Sequence, residues 1–183
     1  MSKIKENIED LTTQILLDND MLYKIPVDVV KIAKAYEINV YAAELSNEIS
    51  GAIRYNSESD KFEILVNKSN AEVRQRFTIA HELGHYFLHR DMLKNSDVHI
   101  DTLYRATTQT NKNTKEQERE VDYFAGALLM NRMTIKKLID NYTVADLAEL
   151  FKVSSSAMAV RLDILGLLWV IIHLQRQISQ KKY

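Results

Sequence analysis

A chain of 183 residues with 46% hydrophobic and 27% charged side chains can bury one substantial core and carry a small appendage. A net charge of −1 gives no general attraction to nucleic acid or anionic membrane, and the absence of cysteine excludes disulfides and thiolate metal sites. The longest apolar run, ILGLLWVII at 164–172, is far below the roughly 20 residues of a membrane span, and the charged start MSKIKENIEDLTTQ has no apolar signal core, so a reducing, cytoplasmic location is expected.

Four glycines and one proline are few, which favours helices over a many-turned sandwich. Ile4, Ile8, Leu11, Ile15 and Leu22 fall at helical spacing and predict an amphipathic first helix over 4–23. Pro26 sits where a second helix can start, with Val27, Val30, Ile32 and Ala33 as its apolar face. Residues 39–45 (NVYAAEL) read as a short strand. GAIRY (51–55) and FEILV (62–66) flank the polar turn NSESDK and predict a β-hairpin. Two longer helices follow, over 70–89 and 115–130. The polar stretch 94–115 between them is long for a plain connection, a property associated with function or motion. Short helical pieces (TIKKLIDN, VADLAELF, SSAMAVRLDILG) complete the pattern. The expected fold is α+β and mainly helical: a small twisted sheet with antiparallel pairing packed on a central helix, residues 1–132, then a helical extension, 133–183, packed on it.

The central helix contains 78-TIAHELGHYFLH-89. At about 100° per residue, Arg74, Thr78, His81, Glu82, His85 and His89 share one polar sector, opposite Val73, Ile79, Ala80, Leu83, Gly84 and Phe87. A solvated face normally carries long charged side chains, whereas this one carries imidazoles. Histidines at i and i+4 stand about 5–6 Å apart at Cβ, so both rings can converge on one ion. Glu82 lies further round, placed to take a proton from water rather than to ligate. HExxH is thus the zinc-peptidase arrangement. His89 lies about 12 Å along the axis from His81 and cannot join it at one ion. Leu88 and Asp91 break the HExxHxxGxxH pattern.

A third ligand must come from elsewhere, and 118-EREVDYFAGALLM-130 offers it. Glu118, Asp122, Ala125 and Leu129 line one stripe of that helix, beside the apolar Val121, Phe124 and Leu128. An inward carboxylate needs a positive partner, and a metal ion supplies one to Glu118. Asp122, one turn on, can accept the outer N–H of a ligand histidine. Ala125 and Gly126 are small enough to let the two helices approach. HExxH followed by ExxxD is the gluzincin arrangement. Glu116 and Glu120 read as solvated.

RQRFTIAHELGHYFLH followed by EREVDYFAGALLM resembles the ImmA/IrrE family of metallopeptidases, most densely over 51–67, 74–89 and 116–130. The resemblance implies a compact cytoplasmic zinc endopeptidase. Its relatives cleave repressors of the helix-turn-helix class, often from phages or other mobile elements, and so relieve repression. On matching positions it implies His81, His85 and Glu118 as Zn²⁺ ligands and Glu82 as general base. Asn131 departs from the family's usual proline, and the tail WVIIHLQRQISQKKY has no counterpart in the pattern. An extended substrate is expected to add as a strand to a sheet edge, for which the 51–66 hairpin is the candidate. No oxyanion stabiliser is assigned; His99, Tyr104 and Arg105 lie in the long connection.

A rival reading comes from 144-VADLAELFKVSSSAMAVRLDILG-166, which has the cadence of a helix-turn-helix. It suggests a DNA-binding or partner-binding regulator with a structural or latent metal site. Lys152 stands where the turn usually has glycine, and the second helix offers only Arg161 as a cation. Both facts argue against a nucleic-acid partner.

Overall fold

The computed structural model describes residues 2–94, 99–102 and 112–173. Helix α1 runs Lys3–Asp18, with the Ser2 side chain accepting from the Lys5 amide, and buries Ile8, Ile15 and Leu16. Helix α2, Val29–Ala35, begins after an Asp28 cap rather than at Pro26. Asp28 accepts from the Lys31 amide at 2.9 Å, and this local hydrogen bond sets the start.

Strands β1 (Asn39–Ala43), β2 (Ile49–Asn56) and β3 (Lys61–Asn67) precede the long helix α3, Glu72–Lys94. Strand β4, His99–Thr102, falls inside the expected connection, and α4 spans Lys112–Leu129. Three short helices follow: α5 (Arg132–Leu138), α6 (Val144–Phe151) and α7 (Ser155–Ile164). Helical turns resume over 168–173. The fold is therefore α+β and mainly helical, as expected.

The sheet order is β1-β3-β2-β4. The predicted hairpin forms, with Ile53 opposite Ile64, but β1 adds parallel to β3 and β4 antiparallel to β2. Both hairpin strands are consequently interior. The edges among the described residues are β1 and β4, which corrects the expectation that the hairpin offers a free edge. The reason is non-local: each hairpin strand is claimed by a strand distant in sequence.

One face of the sheet lies on α3, and α4 packs along α3 from the other side. The core is one cluster that runs from Ile8 and Leu16 through Ile53, Ile64, Leu83 and Phe124 to Leu147, Phe151, Met158 and Leu162. Ile135, Ile139, Leu147, Phe151, Met158 and Leu162 thus join the same cluster as the first part of the chain. No helix among the described residues is long and apolar enough to cross a membrane.

Candidate metal centre

Helix α3 carries His81, Glu82 and His85, and none of them faces solvent: their exposures are 4%, 0% and 2%. The polar sector read from the sequence is real, but β2 and α4 cover it. Val73, assigned to the apolar side, is instead 38% exposed. The helix bends at His89, whose φ of −134° leaves the helical region.

The covering elements approach through two glycines. A Cβ on Gly84 would meet Val121 Cγ1 at 2.9 Å and Phe124 Cδ1 at 3.1 Å, so Gly84 is what lets α4 lie against α3. A Cβ on Gly51 of β2 would meet Leu65 O at 2.7 Å and come within 3.6 Å of Glu82 Oε1. Gly51 therefore lets the sheet close over the glutamate. Gly126, expected to serve helix approach, does not: a Cβ there would meet only Met130 Cε, at 3.9 Å. A glycine inside the HELGH helix, costing about 1 kcal/mol against alanine, was the available signal for the true contact at Gly84.

Pressed against α3 this way, α4 delivers Glu118 to the histidines. Glu118 Oε2 lies 3.3 Å from His81 Nε2, and Oε1 lies 3.6 Å from His85 Nε2. The two Nε2 atoms are 3.2 Å apart. Asp122, a turn along α4, sits 3.0 Å from His81 Nδ1. An ionised carboxylate only accepts, so Nδ1 carries the proton, and Nε2 presents its lone pair to His85 and Glu118.

Three electron-rich groups facing one another are stabilised by positive charge among them, and a metal cation can supply it. Ligand bonds of about 2.0–2.2 Å at tetrahedral angles put neighbouring ligand atoms roughly 3.3–3.6 Å apart. The two Nε2 atoms at 3.2 Å and Glu118 Oε2 at 3.3 Å from His81 are close to that edge length, while the other carboxylate oxygen, Oε1, stands 3.6 Å from His85. His81, His85 and Glu118 are thus a metal-capable triad, the donors all within 4.8 Å of one another. Two imidazoles and one carboxylate suit zinc, and three ligands leave a position open.

The residues singled out on α3 and α4 have definite places. His81, His85 and Glu118 come together, Asp122 supports His81 from outside, and Glu82 is buried in the next position on α3 under Gly51. His89 stands one turn beyond, its ring centroid 6.1 Å from that of His85. Tyr104 and Arg105 lie outside the described residues, as does the tail from 174 onward.

The helix pair α6–α7 turns at Lys152, which takes the left-handed conformation at φ 50°. Arg161, the one cation of α7, is 2% exposed. Its guanidinium clasps Glu9 of α1 at 2.6 and 2.9 Å, and its Nε donates to the Met130 carbonyl. It cannot reach a phosphate, so α7 offers no cation to DNA. The Glu9–Arg161 pair, 152 positions apart, had no local signal in the sequence.

Residues 33–163 match the family model Peptidase_M78, IrrE N-terminal-like domain. Among solved structures, a Mycobacterium tuberculosis transcriptional regulator shares the fold, with a TM-score of 0.61 over 86% of this chain at 15% identity. The chain spans 46% of that regulator's length. Comparison with curated proteins finds no match.

Proposed function

The chain belongs to the IrrE N-terminal-like peptidase family, and from that premise we propose that it is a zinc-dependent endopeptidase that cleaves a helix-turn-helix transcriptional repressor and so relieves repression. The observation that carries this reading is the triad of His81, His85 and Glu118, one donor atom of each within 4.8 Å of the others, backed by Asp122.

His81, His85 and Glu118 would hold the zinc, which when bound supplies Lewis acidity toward the scissile carbonyl and acidifies a neighbouring water. Glu82 takes the proton of the attacking water and returns it to the leaving amine. Asp122 keeps the Nδ1 proton on His81, fixing the ring in the ligating tautomer. An extended substrate adds along β4. That strand pairs with β2, the strand whose Gly51 lies over Glu82, and it is an edge of the sheet among the described residues.

The test is cleavage of a purified helix-turn-helix repressor by the zinc-loaded chain, followed by mass spectrometry of the fragments. Glu82→Gln is expected to lower the rate by about 10²–10⁴ while zinc remains bound. An intact repressor after incubation with the zinc-loaded wild type contradicts the substrate assignment. Equal cleavage by Glu82→Gln contradicts the role of Glu82.

A further inference from the structure

Beside the metal centre a groove of about 750 Å³ opens between the first turns of α3 and helix α7, with α4 as its floor. That volume lies in the roughly 300–1,000 Å³ range of binding sites and is walled mainly by apolar side chains. Val73, Val160 and Ile164 stand on its walls yet remain 38%, 59% and 39% exposed. Its inner end reaches the metal centre twice: through Asp122, which holds His81, and through Phe77, whose ring lies 6.2 Å from that of His81.

The floor contains Gly126. This glycine makes no close approach, since an added Cβ would meet only Met130 Cε at 3.9 Å, and it lies within α4. A glycine there costs about 1 kcal/mol against alanine. Packing does not require it. What its missing side chain does is keep the groove deep.

The charges of the groove have one sign in excess. Arg161 is neutralised by Glu9, and Asp122 is the one carboxylate of the lining. Lys5, Arg74 and Arg119 remain: Lys5 lies over the Tyr123 ring, Arg74 donates to the Ser50 hydroxyl, and Arg119 is exposed with no ion pair among the described residues. An apolar trough between two helices with a cationic rim complements an amphipathic helix with acidic flanks.

We propose that this groove docks an apolar helical segment, flanked by Asp or Glu, of the protein that is cleaved, so that selection of the substrate is made on α7 and Gly126 rather than at the scissile bond. The proposal rests on the endopeptidase reading and names the recognition surface for it. It also gives the α6–α7 pair a role that requires no nucleic acid: its outer helix is one wall of the groove.

The experiment uses the zinc-loaded, full-length Glu82→Gln chain and a fluorescein-labelled peptide with leucines at i, i+3, i+4 and i+7 flanked by glutamates, read by anisotropy. A matched peptide carries lysines at the flanks. The acidic peptide is expected to bind, and the lysine version to bind about tenfold more weakly or worse. Gly126→Leu should cut the affinity about tenfold or more while zinc content stays at the level of the parent. Arg119→Glu should weaken the acidic peptide selectively. Failure of the acidic peptide to bind, or equal binding by Gly126→Leu, overturns the proposal. A monomer–dimer equilibrium abolished by Gly126→Leu assigns the groove to a second copy of the chain and overturns it as well. Zinc loading and cleavage of a short unstructured peptide are measured in parallel on wild type. If those succeed and docking fails, only the groove assignment falls. If they fail, the endopeptidase reading falls.

Discussion

Two polar clusters involve helix α4, and they differ in the groups they bring together. Glu9, Arg161 and Tyr123 form one. The guanidinium pairs both carboxylate oxygens, the Tyr123 hydroxyl donates to Glu9 at 2.8 Å, and the Met130 carbonyl takes the remaining Nε proton. Charge and hydrogen bonds balance within the protein, so the cluster fastens α1 to α7 and asks for nothing further. His81, His85 and Glu118 form the other. Here three groups with lone pairs converge within 4.8 Å of one another, an arrangement that can hold a metal cation. The first cluster closes on itself, whereas the second is arranged as a possible metal site.

Removing half of the closed cluster should have the largest effect on folding. Arg161→Met leaves Glu9, which is 0% exposed, as an uncompensated buried charge, and a loss of about 3–5 kcal/mol is expected from urea denaturation. The double variant Glu9→Leu/Arg161→Met should recover much of that loss, because no charge is then stranded. If Arg161→Met costs nothing, the cluster does not join the helices as described.

In the open cluster the corresponding change falls on metal affinity rather than stability. Asp122→Asn keeps the shape of the side chain but weakens its hold on the Nδ1 proton, and zinc affinity should drop by about 10–100-fold in a chelator competition. Because Asp122 is 60% exposed, little change in thermal midpoint is expected. A stability loss with unchanged zinc affinity would reverse the assignment of the two clusters.

The smallest effect is a pH dependence specific to the closed cluster. Burial foremost, and then the hydrogen bond to Glu9, push the Tyr123 hydroxyl from 10.0 up to about 12. The folded state thus holds this proton more tightly than the unfolded chain. Its stabilisation is complete below pH 10 and is lost as the pH rises toward about 12. Denaturation followed across that window should show the decline, and Tyr123→Phe should flatten it. An unchanged slope in the variant would place the alkaline loss elsewhere.

How far each feature could be read from the sequence followed how local its cause is. His81, Glu82 and His85 are set by helical periodicity alone, and Glu118 and Asp122 lie one turn apart on a second helix. The hairpin of β2 and β3 was legible because its turn and its alternating residues are contiguous. The sheet edges were not, since they depend on β1 finding β3 and β4 finding β2. The Glu9–Arg161 pair joins the two ends of the described chain, and periodicity carries no trace of it. Gly84 and Gly126 read alike as small residues on packed helices. Only the three-dimensional contacts separate the one that α4 rests against from the one that faces a groove.

The most direct measurement is bound metal per chain in protein purified without chelator, for wild type, Glu118→Ala and Glu82→Gln. The account predicts close to one zinc in wild type and in Glu82→Gln, with a clear loss in Glu118→Ala. Wild-type protein that takes up no metal even when zinc is supplied would contradict it, and would leave His81, His85 and Glu118 as a proton-sharing cluster of the core.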